Sequence, residues 1–410
     1  MSTQPHASFR DIFRQPRSVF AVAFACVIAF MGIGLVDPIL PAIASSLDAT
    51  ATEAELLFTS YLLVTGLAML VTSWISSRIG AKRTLLIGLA IIVVFAAAAG
   101  LSQDVEQVIG FCAGWGLGNA LFISTALATI VGSASGGTAS AIMLYEAALG
   151  LGIAVGPLLG GLLGSWSWRG PFFGTATLMA VGFVAILALL RKDDAPRAPM
   201  RLSASLRALR TPALAVLAAA ALFYNIGFFV LLAYTPFPLG FDAIGLGLTF
   251  FGWGVGLAIT SVLVAPLLTR RMARTSVLRL VLPLLAADLA AAGLVVRSSV
   301  GLVVCVIVGG LLLGVLNTVL TECVMEATDH PRSVASSAYS SVRFLGGAIA
   351  PPAATELANL FSDATPYYAA AGSVLVALVI VVAGHRWLRR VDEAPVDALE
   401  EAQAVTAGDA

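Results

Sequence analysis

The chemistry this sequence offers first is a carboxylate inside a run of small and apolar residues. Residues 138 to 164 hold Tyr145-Glu146, then Gly150, Gly152, Gly156-Pro157 and Gly160-Gly161, and the run is long enough to cross a bilayer. A bilayer interior disfavours an ionisable side chain by about 3 kcal/mol on insertion scales, so one that is retained serves a pathway, a proton or a partner. Counted from Thr138, Glu146 lies about 12 Å along a helix. There it can bind a proton and surrender it, which is the chemistry of proton-coupled exchange across a membrane. The plainer alternative is a carboxyl held neutral within a static contact between helices. Asp37 is a second acid, about 27 Å along the first apolar run from Val19. Pro38 and Pro41 flank it and leave backbone groups that a helix cannot satisfy, so it reads either as an interfacial residue or as a second proton site.

Other chemistries find little support. His6, His330 and His385 lie outside or at the edges of apolar runs, no phosphate-binding Gly-x-x-x-x-Gly-Lys loop occurs, and Cys26, Cys112, Cys305 and Cys323 have unrelated spacings. The expectation is no cofactor, no metal, no nucleic-acid partner and no enzymatic turnover. An intramembrane enzyme would need a polar cluster on facing helices, and a membrane sensor would need an appended signalling region. Arg343 is the one basic residue deep within an apolar run, since Arg279 lies at the start of its own, and a guanidinium there needs an acid or water. Glu322, near the inner end of the preceding run, is its candidate mate, as a structural tie or as part of a gate. Asp288, in the run before that, reads as structural.

The elements that position these residues follow from composition. Hydrophobic residues make up 59% of the 410, charged residues 11%, and mean hydropathy is +0.97, which describes a polytopic membrane protein in a lipid bilayer. Runs of about 20 apolar residues predict an all-α fold of twelve transmembrane helices, near 19–43, 55–77, 84–101, 106–131, 138–164, 171–190, 212–236, 244–268, 277–296, 300–324, 333–356 and 366–385. The chain then divides into an N-terminal tail (1–18), a six-helix bundle (19–190), a basic linker (191–211), a second six-helix bundle (212–388) and an acidic tail (389–410), expected to be disordered from Val391. Within the linker, residues 201–210 predict an amphipathic helix lying on the inner membrane face. Nearly all Lys and Arg outside the helices fall on one side, among them Arg78, Lys82, Arg83, Arg270, Arg271 and Arg274, whereas the other side has Arg169 and Arg297. That bias puts both termini in the cytoplasm of a cell with an inner membrane. The halves also repeat: an offset of about 194 carries Tyr145 onto Tyr339 and Pro157 onto Pro351, and the loop Arg78-x-Gly80-x-Lys82-Arg83 onto Arg271-x-Ala273-Arg274. Two parallel six-helix repeats with a site between them are the layout of a rocking transporter.

Three stretches carry a family resemblance over roughly residues 19 to 388. Gly150-x-Gly152-x-x-x-Gly156-Pro157-x-x-Gly160-Gly161 resembles the antiporter motif of the fifth helix, Asp37-Pro38-Ile39-Leu40-Pro41 is similar to a first-helix signature, and Ser73 to Arg83 resembles the gating loop between helices 2 and 3. The chain therefore looks like the twelve-helix drug:proton antiporters of the major facilitator superfamily. The resemblance implies a secondary active transporter that acts as a functional monomer and exports a small amphipathic or cationic compound in exchange for protons. Gating and helix packing would fall to Arg78, Gly80, Lys82, Arg83 and the fifth-helix glycines with Pro157. It also implies that Tyr224, Asn225 and Asn317, with Tyr61, Trp115 and Trp253, face the substrate cavity. Two positions depart from the pattern: Ser77 stands where the loop has an acid, and Cys112 where the fourth helix of such exporters has an Arg. Export of a specific metabolite, sugar or lipid on the same fold is the alternative.

At 100° per residue, Gly150, Pro157, Gly161 and Gly164 share a face with Glu146, while Gly152, Gly156 and Gly160 form an adjoining stripe. Such nearly bare backbone lets two other helices approach closely, as a hinge, a seal or a fixed contact.

Overall fold

The computed structural model describes residues 15–133, 137–190 and 200–393, and it is helical throughout. The long helices are α1 (Arg17–Val36), α2 (Ala51–Ile79), α3 (Ala81–Gly100), α4 (Val105–Ser133), α5 (Gly137–Gly164), α6 (Gly170–Leu189), α7 (Pro212–Phe229), α8 (Ala243–Ile259), α9 (Arg274–Leu294), α10 (Ser299–Glu326), α11 (Arg332–Leu360) and α12 (Thr365–Ala383).

Local chemistry sets their ends. Thr50 and Glu53 form a reciprocal cap on α2, with Glu53 accepting from the Thr50 amide at 2.7 Å and Thr50 Oγ1 from the Glu53 amide at 3.2 Å. Asp242 and Ser298 cap α8 and α10 through Gly245 N (2.8 Å) and Gly301 N (3.2 Å). Gly80, at φ +88°, makes the break between α2 and α3 that an L side chain would strain.

Prolines interrupt the spans rather than end them. α1 gives way to one 3-10 turn at Asp37–Ile39 and resumes as Leu40–Ser46, so the predicted 19–43 span is bent where Pro38 and Pro41 remove donors. α7 and α8 each widen into a π turn, Val230–Tyr234 and Thr260–Val264, just ahead of Pro236 and Pro266. In the first, Thr235 donates from both N (3.3 Å) and Oγ1 (3.2 Å) to the Val230 carbonyl.

Eleven helices among the described residues are long and apolar enough to cross a membrane. The remaining long helix, α11, carries Arg343, several serines and Pro351-Pro352. Its Ser336, Ser337 and Ser341 are buried against protein, so it is a polar helix shielded from lipid by its neighbours. Val94, Val184 and Val379, by contrast, point outward as lipid-facing groups.

The predicted repeat is visible in the packing. In the first half α1 packs on α5 and α6, α4 on α2 and α3, and α3 on α6. Adding six to each label gives the second half: α7 on α11 and α12, α10 on α8 and α9, and α9 on α12. Two seams join the halves, α2 with α11 and α5 with α8, and the same operation relates them.

Two short helices differ from expectation. Ala204–Ala208 of the linker docks on α2 and α11, with Ser205 and Ala208 fully buried; its Leu206 is the face left exposed. His385–Glu393 runs past the boundary placed at 388 and through residues 391–393 of the expected disordered tail. It is held because Asp392 accepts from Thr275 N (3.0 Å) and Oγ1, and Arg274 donates to the Val391 carbonyl (3.0 Å). Both helices bury one face on protein, which sequence hydropathy cannot distinguish from burial in lipid.

Candidate functional site

The fifth-helix glycines serve two different contacts. A methyl on Gly156 would lie 2.6 Å from the Met31 carbonyl oxygen, and Gly152 and Gly160 abut α1 in the same way at Val27 and Leu35. That stripe belongs to packing within one half. A methyl on Gly150 would meet Ala258 Cα at 2.7 Å, Gly247 approaches the Pro157 carbonyl, and Gly161 abuts Ala243, so the other stripe faces α8 across the seam. The predicted pair of faces is therefore matched by a pair of partners.

The α2–α11 seam is closed at the end opposite the basic loops. Thr355 Oγ1 donates to Glu55, Thr59 Oγ1 donates to the Ala348 carbonyl at 3.2 Å, and a turn or two further along Gly66 faces Ser341 and Leu345. Toward the basic end the same two helices separate around a cavity of about 1060 Å³. Hydroxyls dominate its polar lining: Ser18 from α1, Thr72, Ser73, Ser76 and Ser77 from α2, Ser124, Thr125 and Thr129 from α4, and Ser333 and Ser337 from α11, with Arg17 and Lys82. Lys82 Nζ also donates to the Leu187 carbonyl at 2.7 Å, so it ties α3 to the end of α6. The linker closes over one edge, where Ser77 Oγ accepts from Met200 N (3.1 Å) and Ser73 Oγ lies 3.3 Å from Ser205 Oγ. Ser77 thus exchanges hydrogen bonds where the family loop would use charge.

A smaller pocket sits deeper, between the halves. Phe30, Ile123, Tyr145, Leu149 and Ile153 line it from α1, α4 and α5, and Asn225, Phe228, Phe229, Ser340, Arg343 and Phe344 from α7 and α11. Asn225 grips Arg343 twice, Nδ2 donating to its carbonyl at 2.8 Å and Oδ1 accepting from Nε at 3.4 Å. With residues 145, 149 and 153 in this pocket and 150, 157 and 161 on α8, the backbone register sets position 146 between the two faces. The side chains of Glu146 and Asp37 lie outside the described residues.

The remaining candidates scatter. Tyr61 and Trp115 stack edge to face at 5.5 Å around a small gap that Cys112 also lines. Tyr224 is fully buried and donates to Asn317 Oδ1 at 2.8 Å, an α7–α10 bond inside one half. Trp253 is a correction: it is fully buried among Phe228, Phe250 and Gly310, because α8 turns that face toward α10 rather than toward a cavity. The suggested Arg343–Glu322 pair is a second correction. Glu322 is met by Arg274 Nε at 3.4 Å at the basic end, while Arg343 lies deeper beside Asn225. Arg78 stacks on Trp74 at 4.7 Å, and Arg83 is exposed.

Two groups of functional interest escaped the sequence reading. The cavity hydroxyls had a usable signal, since Thr72-Ser73-x-x-Ser76-Ser77 and Ser124-Thr125-x-x-x-Thr129 each fall on one side of a helix within an apolar span. Glu55, wholly buried in the seam, had none, because an acid in the first turns of a span reads as an interfacial residue.

Two six-helix repeats, sealed together at one end and parted around a cavity at the other, define a membrane transporter. The chain belongs to the Major Facilitator Superfamily, whose family model matches residues 22–351. It is 52% identical over 377 residues to the multidrug efflux protein YfmO of Bacillus subtilis (strain 168), covering 92% of this chain and 95% of that one. It is 29% identical to the tetracenomycin C resistance and export protein of Streptomyces glaucescens over 48% of this chain and 39% of that protein. The crystal structure of the human organic anion transporter MFSD10 shares the fold, with a TM-score of 0.74 and 17% identity, over 89% of this chain and 99% of that one.

Proposed function

We propose that this protein exports small amphipathic compounds across the cytoplasmic membrane in exchange for protons, by alternating access. The observation that carries the reading is a pocket lined by both halves, with a cavity toward the basic end and a hydrogen-bonded seam closing the opposite end. With basic loops retained in the cytoplasm, that arrangement is the inward-facing state of a carrier, ready to load from inside. The name borne by the 52% identical relative supports export as the direction.

In the proposed cycle, substrate enters past the cavity hydroxyls and rests against the aromatic rings and the Asn225–Arg343 pair. The α5–α8 and α2–α11 seams then open outward while the basic end closes. Glu146, and Asp37 with it, exchange a proton for the departing substrate, and the protonated carrier returns. Gly150 and Gly161 keep the moving seam smooth enough to slide, and Gly152, Gly156 and Gly160 hold α5 to α1 so that each half moves as a unit. The exporter acts as a monomer, since both halves of the pocket come from one chain. Reconstituted vesicles test it: an imposed proton gradient should drive accumulation of a fluorescent amphipathic dye, and Glu146→Gln should uncouple it. Transport indifferent to the gradient, or a fully active Glu146→Gln protein, removes the coupling.

A further inference from the structure

We propose that Glu55 is a proton-binding residue of the transport cycle: its carboxyl takes up a proton before the outer α2–α11 seam can close over it. The inference rests on the alternating-access reading above and adds a residue to it. Glu55 is fully buried. One carboxyl oxygen accepts from Thr355 Oγ1 on the opposite half, while the other, Oε1, is equally buried and has no hydrogen-bond partner among the described residues. The Thr59–Ala348 bond seals the next turn of the same seam.

Among the described residues no Lys, Arg or His forms an ion pair with Glu55. Toward this outer end the titratable groups on the surrounding elements are the phenol of Tyr234 at the end of α7, which donates to the Asp363 carbonyl (3.2 Å), Glu356 on α11 and Asp363 beyond it, Asp48 after the Leu40–Ser46 helix, and Asp104 and Glu106 at the outer start of α4. On α2 itself, Glu53 is occupied by the Thr50 cap. All of these are acids or neutral, so none can compensate a negative charge on Glu55. A carboxylate sealed there would lose its hydration and regain a single hydrogen bond, whereas a neutral carboxyl needs little more than that bond.

The closed seam therefore binds the proton more tightly than the open one. By linkage, external acid favours closure, and raising the pH above the titration of the exposed carboxyl lowers the closed-to-open ratio by up to about tenfold per unit. Proton uptake from outside thus licenses the return of the empty carrier.

The test uses the full chain in lipid nanodiscs without substrate, with spin labels at the exposed outer positions Gln103 and Asn359. In the otherwise unaltered protein, the short-distance population should give way to a longer one between pH 5 and pH 9. Glu55→Gln, a permanently neutral isostere, should stay in the short-distance state across that range, and Thr355→Val should shift toward the longer distance at every pH. Distances independent of pH, or a Glu55→Gln protein that still opens as pH rises, overturn the proposal. Because no substrate is present, a failure of dye export would leave this result standing. Conversely, intact proton-driven export with an unaltered Glu55→Gln response would discard Glu55 alone.

Discussion

Adding one methyl group to each glycine stripe of α5 should separate a hinge from a fixed contact. Gly156→Ala places a Cβ 2.6 Å from the Met31 carbonyl oxygen, within one half; Gly150→Ala places one 2.7 Å from Ala258 Cα, between the halves. Ordinary contact begins near 3.4 Å, and both neighbours are backbone, so neither strain relaxes by a side-chain rotation. Overpacking of this kind costs about 1–3 kcal/mol. If each half moves as a unit, the Gly156→Ala cost is present in every state and appears as lost stability, on the order of 2–4 °C per kcal/mol in a thermal melt. The Gly150→Ala cost is present only while the outer seam is closed, so the same energy shifts the open-to-closed ratio by about 5–150-fold in favour of opening. Melting curves in detergent and labelled distances across the outer end, measured on both variants, check this. A Gly150→Ala protein that melts as early as Gly156→Ala and keeps the unaltered distance distribution would refute the argument and make the α5–α8 seam a static contact.

Arg274→Ala should cost about 3 kcal/mol or less, reduced by the partial exposure of the pair, because it leaves Glu322 in a largely buried site without its cation; adding Glu322→Gln should recover most of the loss in a melt. Arg343→Ala should abolish export while the melt is nearly preserved, and Arg343→Lys should not restore it, since an ammonium cannot reproduce the guanidinium geometry at Asn225 Oδ1. Ser77→Ala should free the Met200 amide at a cost of about 0.5–1.5 kcal/mol and speed amide exchange at the linker. The Arg390 guanidinium holds the Asp329 carboxyl below its ordinary value of 3.8, so the tie is fully present above that pH and is lost as pH falls through the lower value of the folded protein. Amide protection in His385–Glu393, taken relative to the intrinsic exchange rate at each pH, should therefore be flat from pH 8 to 5 and fall only in stronger acid, and Asp329→Asn should show a smaller acid-dependent loss.

The sequence alone determined what is local or periodic. Apolar runs specified the spans, because a bilayer requires each to satisfy its own backbone. The offset of Tyr145 to Tyr339 revealed a repeat that reappears as identical helix pairings, and 100° steps along α5 separated two glycine faces that proved to have two partners. Even α11, too polar to meet the apolar criterion that eleven other helices satisfy, was among the runs read as spans, at 333–356.

Which face meets which neighbour was decided only by packing. Hydropathy cannot tell burial in protein from burial in lipid, so Trp253 read as a cavity residue and lies in a core, and residues 391–393 read as tail and are docked. Charge pairing has the same limit: Glu322 could be matched to any nearby cation until the depth of α10 against α9 selected Arg274. Glu55 is the extreme case. Nothing near it in the chain marks it, and it becomes a buried, singly bonded acid only because Thr355, 300 residues away, closes over it from the other half.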